Sequence, residues 1–350
     1  MRPSRLSDFH GWPRVLAPSP PAPPGDAWPR VSLVTPSFNQ ARYIESTLLS
    51  MVHQGYPDLE TIVIDGGSSD GTLEILRRHT AQLAHWESRP DRGQADAINK
   101  GWRRATGKYV WWLNADDLLM PGSLFAAVQF LEASPAIDFV YGDTLLIDQD
   151  DVVLGRTRYP EFDFVDFILN RRDLPQPGAL VRRSALDRIG LLEEQLHYLM
   201  DYELWIRLAL LGGQIARIDG PLALYRVHEE AKTEAGSLRS VEERRLLHRW
   251  LRAHPELPTE IREQWPRVTG LMHLECARTA IRAGAFSAGL SEAWRSGRAW
   301  WPVLARPALW YQAALGLLGL VLGPRTWIRL RERVRRIRRW RRARNVEGLV

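Results

Sequence analysis

The stretch Val110-Trp-Trp-Leu-Asn-Ala-Asp-Asp-Leu-Leu-Met-Pro121 decides the fold. Its four apolar residues, Val110 to Leu113, form a run short enough to be a buried strand. The run stops at Asn114, Asp116 and Asp117, and Pro121 with Gly122 opens a new apolar-periodic segment. Acidic groups at the carboxyl end of a buried strand stand where open α/β sheets bind their ligands. Two adjacent carboxylates repel each other unless a cation or hydrogen-bond donors hold them. A hard divalent ion shared with substrate phosphates is one solution. A polar strand-to-helix turn with Asp as the helix cap is the other.

Working back toward the start, Val31-Ser-Leu-Val-Thr35 reads as a strand stopped by Pro36, and Asn39 as the cap of the helix that follows. Thr61 to Ile64 is a second buried strand, ending in the small, polar loop Asp65-Gly-Gly-Ser-Ser-Asp-Gly71. A helix starts near Thr72, a shorter strand lies at Ala84 to Glu87, and Arg92 to Lys100 opens a third helix that Gly107 closes. Strand and helix alternating at this spacing predict a mostly parallel sheet with crossover helices on both faces. The polar clusters Thr35–Asn39, Asp65–Asp70 and Asn114–Asp117 all follow strands and so gather on one edge, the geometry of a nucleotide site. No Gly-x-Gly-x-x-Gly follows the first strand, which excludes a dinucleotide fingerprint, and there is no P-loop.

Beyond Pro121 the pattern predicts a helix to Ala133, a hairpin pairing Thr144–Ile147 with Val152–Thr157, and a short helix ending at Gly190. A further helix carries Tyr202, Trp205, Ile206 and Ala209 on one face, with Asp201 at its start as either a cap or a site residue. Ile215–Ile218 and Leu222–Val227 read as two strands, followed by His228, and residues 240–298 are helical and amphipathic. A lone His after a strand is structural or helps hold a metal or diphosphate.

The chain of 350 residues is 45% hydrophobic, enough for one large α/β domain and a smaller appendage. Its single cysteine, Cys276, excludes an internal disulfide and fits a reducing compartment. The first residues lack an apolar h-region, so no secretory signal is expected. The net charge of +6 is unevenly spread: residues 325–344 hold eleven Arg and one Glu, or +10, which leaves −4 for everything else. Ala308 to Gly323 is apolar except for Gln312, yet its sixteen residues fall short of the roughly 20 needed to span a bilayer. Trp300, Trp301, Trp310 and Trp327 flank it as interfacial anchors would, and Trp327, Leu330, Val334 and Ile337 make an apolar stripe in the basic tail. This pattern suits an anionic lipid surface better than a nucleic-acid groove.

Five segments in order, Val31–Asn39, Val63–Thr72, Gly93–Gly101, Leu113–Asp117 and Met200–Trp205, resemble those of the family-two glycosyltransferases of GT-A fold. The resemblance covers about residues 30–235. It implies inverting transfer from a nucleotide-diphosphate sugar to a hydroxyl acceptor, assisted by Mg²⁺ or Mn²⁺, in cell-surface polysaccharide or lipid-linked glycan assembly. By similarity, Thr35, Pro36 and Asn39 line the nucleotide pocket, Asp65 reaches the base or ribose, and Asp96 lies near the donor. Leu-Asn-Ala-Asp-Asp looks like the family's Asp-x-Asp motif with Asn114 in first place, which puts the metal on Asp117 with Asp116 supporting and His228 as a further candidate. Asp201 matches the catalytic base. One departure is Gly66, where many relatives carry a second acid. A catalytically silent sugar-nucleotide-binding subunit and a sugar-1-phosphate nucleotidyltransferase are the competing readings. The latter wants a Gly-rich basic loop after the first strand, which Thr35-Pro-Ser-Phe-Asn39 is not.

The expected organisation is a proline-rich leader over 1–29 and a GT-A domain over 30–235, split into a nucleotide-sugar half (30–120) and an acceptor half (121–235). A helical region over 236–305 follows, then an apolar and Arg-rich membrane-surface tail over 306–350. Because nucleotide sugars are cytosolic, the expected location is cytoplasmic, peripheral on the cytoplasmic face of the membrane.

Overall fold

Val31–Ser37 forms β1, buried along its whole length, because strands flank it on both edges and helices cover it. In the computed structural model, which describes residues 27–170, 173–228 and 237–343 with side chains through 323 and at 326–327, β1 pairs in parallel with β2 (Leu59–Asp65) and β4 (Tyr109–Trp112). β2 pairs in parallel with β3 (His85–Ser88). Parallel neighbours need crossovers, supplied by α1 (Ile44–Val52), α2 (Thr72–His79) and α3 (Gln94–Arg104). Gly101 brings α3 onto β1, since a Cβ there would collide with the Val34 side chain. Trp102, Trp111 and Trp112 are core, each at most 2% exposed.

The sheet continues from β4 through β8 (Leu180–Arg182), β6 (Phe139–Asp148) and β9 (Ile215–Val227) to β5 (Leu118–Leu119), with β7 (Val153–Thr157) hairpinned on β6. β5, β7 and β8 run against the other six of the nine strands among the described residues, so the sheet is mostly parallel. The hairpin falls where the alternation placed it. The two strands expected over 215–227 are one, β9, whose register against β6 shifts near Asp143 where Gly220 takes a φ of +101°. β5, only two residues long, carries no periodicity that sequence could show. α4 (Ser123–Ala133), α6 (Arg183–Ile189) and α7 (Met200–Leu210) complete these elements.

The chain divides into two compact units, one of residues up to Phe162 with Leu174–Val227, the other of Asp163–Asp173 with His228–Arg342. The first holds the sheet. The second is helical: α5 (Phe164–Asn170), α8 (Leu238–Ala253), α9 (Thr259–Glu263), α10 (Trp265–Arg282), α11 (Phe286–Ala299) and α12 (Pro307–Ala343). Its core gathers Leu274, Ala277, Ala293, Val303 and Leu309. Within it the buried Glu292 carboxylate meets Arg245 at 2.5 Å, His273 at 2.6 Å and Arg295 at 2.8 Å, which holds its pKa down at about 2 despite burial.

α12 begins at Pro307 and is broken at Gly323, whose φ of 74° and ψ of 161° are not helical. Leu309, Gln312, Gly316 and Gly319 form its buried face; Gly316 and Gly319 admit Leu290 and Phe286, which a Cβ would strike. The opposite face is also apolar, with Trp310, Tyr311, Leu317 and Val321 at 50–84% exposure. Trp327 is not an interfacial anchor: it is 4% exposed, with its ring N–H donated to the Ile281 carbonyl at 3.1 Å. No helix among the described residues is long and apolar enough to cross a membrane. Most of the expected leader, the 229–236 segment around the expected 235/236 boundary, and residues 344–350 lie outside the described residues.

Candidate active site

The carboxyl ends of β1, β2 and β4 meet on one edge because the three strands are parallel neighbours. Loops from these ends interlock. Asn39, at φ 53°, receives the Ser69 N–H on its side-chain oxygen at 2.9 Å, and its own N–H goes to Ser68 Oγ at 2.7 Å. It therefore ties the β1 loop to the β2 loop and does not cap α1, which starts at Ile44. Thr35 is fully buried, with its hydroxyl on Met51 Sδ at 3.8 Å, and Pro36 is buried as well. The Thr35 side chain is thus part of the core rather than the pocket lining.

Two expected ligand contacts turn out to be pins. Asp65 is closed to solvent and accepts from the Gly67 and Ser68 amides at 3.0 and 2.8 Å and from the Ser68 and Ser88 hydroxyls at 2.5 and 2.6 Å. A carboxylate so fully supplied shapes its loop instead of reaching a base or ribose. Asp96, 3% exposed, accepts from the Arg92 amide at 3.0 Å and guanidinium at 2.9 Å and pairs with Lys100 at 3.0 Å. Burial works against its ionised form, but the Arg92 and Lys100 contacts win and hold its pKa well below the carboxylate range. It braces the start of α3 and has no open side toward a donor.

The loop after β4 is fixed from several directions. Asn114 accepts from Gln94 Nε2 at 2.7 Å and donates to Gln176 Oε1 at 2.7 Å and, more weakly, to Asp117 Oδ2 at 3.2 Å. Thr47 Oγ1 lies 2.9 and 2.8 Å from the Ala115 and Asp117 carbonyls. Arg226, 2% exposed, gives its side-chain Nε–H to the Asp116 carbonyl at 2.9 Å and its backbone N–H to Asp117 Oδ1 at 2.9 Å. Asp117 is 1% exposed, and burial, then the neighbouring charge of Asp116, push its pKa well up. Its carboxylate ties β9 to the motif through the Arg226 amide. Asp116, the supporting residue of the expected pair, is the partly exposed one of the two acids.

Among the described residues, no three His, Cys, Asp and Glu side chains gather as an all-protein metal cage. His228, 2% exposed, follows β9 and belongs to the second unit. One hard oxygen ligand at a sheet edge fits Mg²⁺ or Mn²⁺, which bind through one or two carboxylates plus substrate phosphates.

Asp201 lies in the first turn of α7, after Leu199 at the cap position, so it is not the cap itself. It is half-buried, and one oxygen takes the Tyr202 amide at 2.7 Å. The segment leading into α7 is held against the α3 loop: a Cβ on Gly93 would lie 3.2 Å from the His197 ring, and Arg92 pairs with Glu194 at 2.5 Å. The α3 loop thus touches both the Asn114 loop, through Gln94, and the approach to Asp201. Gln94, Gln176 and Arg226 were not singled out from sequence. Gln176 and Arg226 lie 62 and 109 residues from the motif residues they hold, and no local pattern signals such a partner.

Comparison with known proteins fits this geometry. The model of the family described as "Glycosyl transferase family 2" matches residues 32–190. An uncharacterized glycosyltransferase of Mycobacterium tuberculosis is 32% identical over 186 residues, covering 52% of this chain and 70% of that protein. A PGL/p-HBAD biosynthesis glycosyltransferase of Mycobacterium bovis is 30% identical over 190 residues, 52% of this chain and 70% of that protein. Among solved structures, a fragment of S. aureus TarS in complex with UDP-GlcNAc superposes with a TM-score of 0.55 at 18% identity, over 83% of this chain and 89% of that one. A longer TarS chain is spanned over only 54% of its length. The mannosyltransferase PcManGT of Pyrobaculum calidifontis, in complex with GDP-Man and Mn²⁺, gives 0.55 at 21% identity over 86% and 88%. The chain belongs to glycosyl transferase family 2, and its sheet is of the GT-A type.

Proposed function

We propose that this protein transfers a sugar from a nucleotide-diphosphate donor to a hydroxyl acceptor with inversion, using Mg²⁺ or Mn²⁺. The observation that carries this is the pairing of a partly exposed acid after β4, Asp116, with a separate half-buried acid at the start of α7, Asp201, on segments that both touch the loop opening α3, the first through Asn114 and Gln94, the second through His197 and Gly93. When bound, the divalent ion supplies Lewis-acid stabilisation of the charge growing on the departing diphosphate. Asp116 would hold it, with the Gln94–Asn114–Gln176 chain and Arg226 keeping the loop in place. Asp201 takes the proton of the acceptor hydroxyl as its oxygen bonds to the anomeric carbon and the bond to the diphosphate oxygen breaks. One base and one leaving-group site are what a single displacement needs.

The acceptor in this reading is a glycan or lipid-linked glycan, and the protein works at the cytoplasmic face of a membrane. Supporting this are the apolar outer face of α12 and the Arg-rich run that follows the break at Gly323. The test of function is incubation with a panel of nucleotide sugars, with and without Mn²⁺, followed by mass analysis of products and of the anomeric configuration. Turnover of none of the panel, or a product that retains the donor configuration, contradicts the proposal.

A further inference from the structure

Gly66 follows Asp65 at the end of β2, and its N–H is donated to the Ser37 carbonyl at 2.8 Å, so it lies against the end of β1. Its two glycine neighbours in the loop need their freedom for the backbone: Gly67 has φ +89° and Gly71 φ +100°. Gly66 has no such φ, and any L residue could adopt its conformation. What excludes a side chain is Asp91, whose Oδ2 lies 2.8 Å from where a Cβ on Gly66 would stand. The Asp91 carboxylate, arriving from the loop between β3 and α3, fills the space that residue 66 leaves empty.

Its orientation is set by the surrounding backbone. Oδ1 takes the Gly93 N–H at 2.8 Å. Arg89 N–H is donated to the Asp65 carbonyl at 2.9 Å, and Pro90 packs on Gly67. No donor among the described residues meets Oδ2. Asp91 is half-buried, and burial pushes its pKa up, so an ionised group here gains from a donor.

Resting on the nucleotide-sugar reading above, we infer that Asp91 reads the base of the donor: its Oδ2, standing in the space vacated at Gly66, accepts a hydrogen bond from a ring N–H. A carboxylate only accepts. Uracil, thymine and guanine offer a ring N–H to such an acceptor, whereas cytosine and adenine turn a ring lone pair toward it. Asp65, saturated from within, shapes the loop, and Asp91 does the selecting. The donor nucleotide is therefore of the uridine, thymidine or guanosine class.

The experiment is calorimetric titration of the full-length protein with UDP, GDP, CDP and ADP in the presence of Mg²⁺. A charge-assisted hydrogen bond implies that UDP or GDP binds at least about tenfold more tightly than CDP. Asp91→Asn, which can donate as well as accept, is expected to bring that ratio to within about threefold. Gly66→Ala is expected to do the same with Asp91 still present, because the added methyl displaces the carboxylate. It also serves as the reading if Asp91→Asn melts early. Unchanged discrimination in a folded Asp91→Asn or Gly66→Ala protein overturns the role of Asp91 alone. If the wild-type protein binds no nucleoside diphosphate at millimolar concentration, the nucleotide-sugar reading falls, and this inference with it.

Discussion

Gln94 Nε2 donates to Asn114 Oδ1 across 2.7 Å, joining the start of α3 to the loop after β4. The other half of the Asn114 amide donates to Gln176 Oε1 at 2.7 Å and toward Asp117 Oδ2. An amide satisfies both demands at once, while a carboxylate would oppose two acceptors with none of its own protons. Asn114→Asp, which would complete an Asp-x-Asp motif, is therefore expected to lower stability by about 1–3 kcal/mol and to reduce turnover. Thermal melting and initial rates check this; a variant as stable as the parent with higher activity contradicts it.

The contrast between Asp116 and Asp117 separates metal binding from support. Asp116→Asn should raise the Mn²⁺ concentration needed for half-maximal activity and cut turnover by about 10²-fold or more, the scale of losing one stabilising charge at a reacting phosphate. Asp117→Asn should leave the metal requirement nearly intact and act instead on melting temperature, because Oδ1 can still accept the Arg226 N–H while the new amide nitrogen would face Asn114 Nδ2, donor against donor. Metal titrations of both proteins decide it. A metal requirement that moves only in the Asp117 variant restores Asp117 as the ligand.

For Asp201, removal of the base should leave donor binding near normal while transfer falls by about 10²–10⁴-fold. The measurement is calorimetric donor affinity beside single-turnover transfer for Asp201→Asn. A variant that loses donor affinity in proportion to activity would make Asp201 a binding residue.

β1, β2 and β4 were legible in the sequence because each is a short apolar run cut off by a polar loop. Parallel pairing then forces those loops to one edge. The location of the site was legible for the same reason. The roles within it were less so. Thr35, Asp65, Asp96 and Asp117 all stand near element ends, yet their side chains are buried. What turns each one in is a partner remote in the chain or hidden in loop geometry, such as Ser88 for Asp65 and the Arg226 amide for Asp117. Residue type and spacing locate an acid, but only the donors around it show whether it has capacity left for a ligand. Asp91 is the converse case. Nothing local marks it, and its position became meaningful only once the empty volume at Gly66 was seen.

In the helical unit, Glu292 is the group whose loss should be felt most. It is 3% exposed and accepts from Arg245, His273 and Arg295, so Glu292→Gln weakens a buried acceptor shared by two partly exposed arginines and a histidine, at an expected loss of about 1–3 kcal/mol. The folded pKa lies below the ordinary 4.5, so the carboxylate's contribution is fully present above pH 4.5. It drains away as the pH falls toward about 2. Chemical denaturation of parent and variant from pH 6 to pH 3 should show their difference narrowing with acid. A constant difference would mean that the effect comes from packing.

The last expectation concerns the outer face of α12. A helix that is apolar on every side needs cover on every side, and among the described residues only the face carrying Leu309, Gln312, Gly316 and Gly319 is covered. The other presents Trp310, Tyr311, Leu317 and Val321 to solvent. Beyond the break at Gly323 the sequence turns basic, with eleven arginines within residues 325–344. An anionic leaflet satisfies both features, by taking up the apolar side chains and by attracting each engaged Arg with roughly 1 kcal/mol. Cutting the chain at Ala305 would be a poor test, since it removes Leu309 from the helical core. Substitution on the exposed face avoids that. The triple change Trp310→Gln, Leu317→Gln and Val321→Gln should leave the melting temperature within a few degrees, because those side chains pack little on the protein. Sedimentation with vesicles containing phosphatidylserine should then fall by about tenfold or more, with donor turnover in solution retained. If the full-length parent ignores such vesicles at low salt, the lipid partner is wrong; if the triple variant binds them as well as the parent, the outer face of α12 is not the contact.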